Sequence, residues 1–116
     1  MKRLRFIGTA RDDLSAFPKP ARVRAGQELF MVQVGREPDD WKPMPTVGLG
    51  AREIRVRDAA GAFRVVYVAR FGDAIYVLHA FQKKSEKTAR TDLALAGRRY
   101  REARALAKES ETWRKE

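Results

Sequence analysis

Five cations, Arg55, Arg57, Arg64, Lys83 and Lys84, lie in a stretch, residues 51–104, that holds thirteen Lys/Arg against six Asp/Glu. Guanidinium groups bond bidentately to phosphate oxygens, and a lysine crowded by other cations loses its proton more readily. A set of this kind is suited to RNA strand scission. In that reaction a ribose 2′-hydroxyl attacks the adjacent phosphorus. One group takes the hydroxyl proton, others hold the charge on the phosphate oxygens, and another protonates the leaving 5′ oxygen. Arg64 and Arg55 fit charge stabilisation and Lys83 or Lys84 fits proton transfer; the chemistry requires neither metal nor cofactor. The bland alternative is a solvated basic face. His79 is the sole histidine, and strand alternation groups it with Ile75, Val77 and Phe81 against Tyr76, Leu78 and Ala80. It is either a hydrogen-bonded packing residue or a proton-transfer group. Tyr67 and Tyr76 are either base-stacking platforms or core. Thr46–Gly50 has two glycines but no phosphate-loop lysine and reads as a turn. Asp39-Asp40 reads as a cap or a solvated pair.

These residues must be positioned by strands. Arg52–Asp58 alternates Ile54 and Val56 with Glu53, Arg55 and Arg57, the period-2 pattern of a half-buried strand. A turn over Asp58–Gly61 leads into Phe63–Phe71, Gly72-Asp73 turns the chain again, and Ala74–Gln82 forms the next strand. Antiparallel pairing brings Arg55 and Arg57 close to Arg64, which is expected to be an exposed strand arginine. Upstream, Arg3–Ile7 reads as a first strand, and Thr9 as the N-cap of a short helix with Asp12 and Asp13 in its first turn. Pro18 and Pro20 stop that helix. Pro20 opens a second one with an apolar stripe of Ala21, Ala25, Leu29 and Val32, widened by Phe30 and Val34. The two helices are expected to form a hairpin laid on the sheet. Residues 36–50, rich in Pro and Gly, read as a loop packed down by Trp41, Met44 and Val47. Thr88 is expected to cap a last helix running to about Ala107. Its stripe is Ala89, Leu93, Ala96, Tyr100, Ala103 and Ala107, and Arg98, Arg101 and Arg104 lie on the opposite face. The tail from about residue 108 is expected to fray. The sum is one α+β domain over residues 1–116, with a four-stranded, mainly antiparallel sheet and helices mainly on one face.

The net charge of +10 favours an anionic partner. Residues 1–50 hold nine Lys/Arg against six Asp/Glu and residues 105–116 balance at three each, so the anion-facing surface is expected on the sheet and the last helix. The chain has no cysteine, which excludes disulfides and thiolate metal sites and fits a reducing compartment; one histidine cannot build a histidine-based metal cluster. No apolar run reaches the length of a bilayer span and the amino terminus lacks a signal-peptide core, so the chain is read as cytoplasmic.

The sequence resembles the RelE/ParE/HigB superfamily of bacterial type II toxins, in particular its phage-derived HigB-like branch. The likeness is carried by WKPMP (Trp41–Pro45), REIRVRD (Arg52–Asp58), GAFRVVYVARF (Gly61–Phe71) and AIYVLHAFQKKSEKT (Ala74–Thr88). It implies a RelE-like fold and a toxin that cuts mRNA in the ribosomal A site, arrests translation and is neutralised by a cognate antitoxin, often of helix-turn-helix type. It also implies Arg64 on the scissile phosphate, Arg55 beside it with Arg57, and Lys83 or Lys84 as the basic residue after the last sheet strand. Lys87, Arg98 and Arg101 are expected to follow the RNA backbone. RelE has a tyrosine shortly after that last position, whereas Ser85–Thr91 has none, which makes His79 a candidate substitute for its proton-transfer role. Two other readings of the same residues are a ParE-like gyrase inhibitor without nuclease activity and a phage nucleic-acid-binding or structural protein.

Overall fold

The computed structural model describes the backbone of residues 1–115 and the side chains of residues 1–110. In chain order the elements are β1 (Arg3–Phe6), α1 (Ala10–Ser15), α2 (Lys19–Gln33), β2 (Trp41–Pro43), β3 (Ala51–Asp58), β4 (Gly61–Val68), β5 (Ala74–Lys83) and α3 (Arg90–Lys115). The expected meander is present as β3, β4 and β5. Asp58 Oδ1 accepts from the Ala60 amide at 2.7 Å, and Gly61, at φ 135°, completes the tight turn between β3 and β4. The sheet has five strands in the order β1-β5-β4-β3-β2, with β1 parallel to β5 and every other pair antiparallel. The fifth strand, β2, comes from the segment expected to be loop. Its Trp41, Lys42 and Pro43 pair with Ile54, Glu53 and Arg52, and Pro43 is tolerated because β2 is an edge strand.

Helices cover both faces of the sheet, not mainly one. On one face Ala21, Ala25, Leu29 and Val32 of α2 pack over Ile54, Val56, Phe63, Val65 and Tyr67. The expected helical hairpin is not confirmed: α1 packs chiefly on β5 and α2 on β3, with less contact between the two helices. Phe30 and Val34, expected to widen the buried stripe of α2, are 51% and 44% exposed. On the other face Ala96, Tyr100 and Ala103 of α3 pack over Val66, Val68, Tyr76 and Leu78. The Tyr100 hydroxyl donates to the Leu49 carbonyl at 2.7 Å, and Met44 and Val47 are buried beside it, so the 44–50 segment is packed down as expected.

Three further details depart from the sequence reading. Thr88 does not cap α3: its hydroxyl reaches Glu53 Oε2 at 3.3 Å, and the helix begins at Arg90. The helix also continues to Lys115 through most of the expected frayed tail; Glu116 lies outside the described residues. Finally, a bulge at Leu78 shifts the register, so that Val66 faces His79 but Tyr67 faces Val77. One extra residue reverses the strand's alternation. His79 therefore stands on the α3 side with Tyr76, Leu78 and Phe81, while Ile75, Val77 and Ala80 face α1 and α2. The bulge is held by Arg99, which donates from Nη1 to the Leu78 carbonyl at 3.0 Å and from Nη2 to Thr9 Oγ1 at 2.9 Å.

Candidate nucleic-acid interface

The pairing register gathers the expected cations. Arg55 faces Arg64, which faces Phe81, and Arg57 faces Ala62, which faces Lys83. Arg55, Arg57, Arg64 and Lys83 therefore share the α3 side of the sheet at one end. They line an open cleft of about 540 Å³, completed by Lys84, Ser85 and Glu86 on the segment leaving β5.

Arg64 is not the exposed arginine expected from alternation. It is 2% exposed and forms the cleft floor. Beneath it lies Glu53, fully buried, with Oε1 3.4 Å from Arg64 Nε. Arg64 Nη1 donates to the Phe63 carbonyl at 3.0 Å. Neither Arg64 Nε nor Glu53 Oε1 has a well-formed hydrogen bond, so the contact is chiefly electrostatic. Burial lowers the Arg64 pKa from its ordinary value and the neighbouring Arg55 and Arg57 push the same way, while Glu53 opposes them. Lys83 is half-buried, and its pKa is lowered first by burial, then by Arg64 and more weakly by Lys42 and Arg55. The shift moves Lys83 toward readier deprotonation. Lys84 and Arg57 are exposed on the rim; Arg55 is half-buried, with Nη1 4.0 Å from Asp40 Oδ1 and its Nε buried without a partner.

His79 is not part of the cleft lining. It lies four residues before Lys83 on β5, about 13 Å along an extended strand. Its Nε2 is 2.7 Å from Asp92 Oδ1 on α3, its ring stacks on Phe81 at 4.8 Å, and Nδ1 is buried without a partner. Lys87, Arg98 and Arg101 are exposed and also lie outside the cleft lining. Tyr67 and Tyr76 are buried in the two cores and offer no stacking platform. Among the described residues, no group of three or more His, Cys, Asp or Glu side chains is placed to hold a metal ion. Sequence reasoning missed Glu53, Thr88 and Asp92. Glu53 alternates with Arg55 and Arg57 as a solvent-side charge would, and only its position between β2 and β4 makes it interior.

This geometry defines a class: a small basic α+β protein with a cationic cleft at one end of a twisted sheet. The family follows from comparison, because the chain matches the model for the phage-derived Gp49-like proteins (DUF891) over residues 12–101 and belongs to that family. The family is of RelE/HigB-like toxin type, a type that implies an antitoxin partner, and the match does not single out the HigB branch. No curated protein matches the chain. Among the described residues no helix is long and apolar enough to cross a membrane.

Proposed function

We propose that this chain is the toxin of a type II toxin–antitoxin pair and a ribosome-dependent mRNA endonuclease of HigB-like kind, acting in the cytoplasm and held inactive by a helix-turn-helix antitoxin. The observation that carries the reading is the cleft in which Arg55, Arg57, Arg64 and Lys83 converge with Glu53 as the buried counter-charge. A phosphodiester seated there meets the guanidinium groups, which stabilise the charge that grows on its oxygens during 2′-hydroxyl attack. Lys83, half-buried among cations, is the group best suited to move a proton, as acid to the leaving 5′ oxygen or as base to the 2′-hydroxyl. Arg57 and Lys84 on the rim hold the flanking phosphates.

The test is primer extension on cellular mRNA after brief induction of the chain. Discrete cuts in register with the reading frame are expected from the wild type and are lost in Lys83→Arg, because a guanidinium does not exchange a proton at accessible pH. In single turnover on programmed ribosomes the same variant cuts ~10²–10⁴-fold more slowly, the range for a general acid–base group. Intact mRNA together with double-strand DNA breaks would instead identify a gyrase poison.

A further inference from the structure

The basic cleft leaves a second cationic cavity unexplained. On the opposite, α2 side of the sheet and at its other end, Arg36, Arg52, Arg70 and Lys2 surround a cavity of about 510 Å³ whose wall includes Tyr67. Arg52 and Arg57 are five residues apart on β3, about 17 Å, and point to opposite faces. One phosphate therefore cannot occupy both sites.

Three features show that this cavity is built. Arg52 lies 3.9 Å over the Trp41 ring, which fixes its guanidinium in orientation. Arg70 lies across Gly50, where a Cβ would come within 2.5 Å of its stem, so glycine is required for that approach. Lys2 is tied to the Ala69 carbonyl at 2.6 Å. The Tyr67 hydroxyl, in a residue 1% exposed, is buried beside Arg52 without a well-formed hydrogen bond. Four cations face one carboxylate, Glu37, which is 3.4 Å from Arg52 Nη1. The excess of positive charge and the planar guanidinium donors match a phosphate group better than a single carboxylate.

We infer that the cavity between Arg36, Arg52, Arg70 and Tyr67 is a second phosphate-binding site, independent of the cleft at the other end of the sheet. The phosphate comes from a nucleic-acid backbone or is free in solution. In either case the arginines hold its oxygens, with the Tyr67 hydroxyl in the wall beside them. The inference does not depend on the nuclease reading.

The test follows backbone amide NMR shifts of the full chain during titration with inorganic phosphate at constant ionic strength, repeated with a short oligouridylate and with a hexaglutamate peptide. Saturable shifts at Arg36, Gly50 and Tyr67 are expected, separate from any at Gly61 and Ser85 in the cleft. The double variant Arg36→Gln/Arg70→Gln should weaken the first set about tenfold, as loss of charge-assisted hydrogen bonds does, and leave the cleft response in place. Tyr67→Phe should weaken it several-fold with Tm unchanged or raised, since the hydroxyl gives up no good hydrogen bond. Tighter binding of oligouridylate assigns the source to a nucleic-acid backbone; equal or weaker binding assigns it to free phosphate. Shifts that do not saturate, that hexaglutamate reproduces as strongly, or that survive in both variants would overturn the site.

Discussion

At the scale of single residues, the main lesson concerns Arg64. Strand alternation marks it as a charge beside Arg55, and a charge on a strand reads as solvent-facing; pairing on both sides and Glu53 beneath make it interior. Its removal is therefore not neutral to the fold. Arg64→Met and Glu53→Met each leave one member of a buried pair uncompensated, a loss of ~3 kcal/mol or more, while the two replacements together recover much of it. Urea unfolding of the four proteins in a double-mutant cycle measures this. Additive losses would show that the pair is not coupled. Lys83 gives a second residue-scale prediction, with the sign fixed by burial. Its folded pKa is lowered, so between that value and the unfolded 10.5 the unfolded chain binds more protons and stability rises with pH. Below the folded pKa the charged lysine opposes folding, so Lys83→Met should raise Tm at pH 7. The gain should shrink as the pH approaches 10.5, and a Tm difference independent of pH would contradict it.

At the scale of elements, the meander was legible because its period-2 alternation and its turn residues agree; the apolar stripes of α2 and α3 were legible at Ala21, Ala25, Leu29, Val32, Ala96, Tyr100 and Ala103. What escaped has physical causes. Three residues with a proline carry too little periodicity to announce β2, and they become a strand only through pairing with β3. A stripe shows that a helix is amphipathic but not which sheet face receives it, so α3 opposite α2 was not readable. The bulge at Leu78 has its carbonyl met by a distant partner, Arg99, which strand alternation does not reveal. The site was legible as a set of cations on adjacent strands, but its buried carboxylate and the withdrawal of His79 toward Asp92 were not. The seating of α3 on the 44–50 segment can be tested at Gly48, where a Cβ would lie 2.5 Å from Tyr100 ring atoms. Gly48→Ala should displace the ring or the loop at a cost of ~1–3 kcal/mol, as overpacking does. An unchanged thermal melt would mean that the loop yields freely and does not anchor the helix.

At the scale of the whole molecule, the proposed function divides the charge of +10 between work at the cleft and attraction at a distance. Arg98 and Arg101 stand exposed on α3, outside the cleft lining, and have no part in holding the scissile phosphate as proposed. Their contribution to RNA is then long-range and non-specific, through the counterions that a polyanion releases when cations approach it. On the proposed mechanism Lys83 moves a proton and adds little to such binding. The two classes separate in one experiment. Binding of the chain to an RNA oligomer is measured across a series of salt concentrations, and single-turnover cleavage is measured at saturating chain. Arg98→Gln/Arg101→Gln should lower the slope of log affinity against log salt by up to about one unit per arginine and leave saturated cleavage near the wild-type rate. Lys83→Arg should keep the slope and lose the cleavage. If the α3 arginines change cleavage at saturation as much as Lys83 does, the reacting phosphate lies along α3, and the sheet-end cleft is not where RNA is cut.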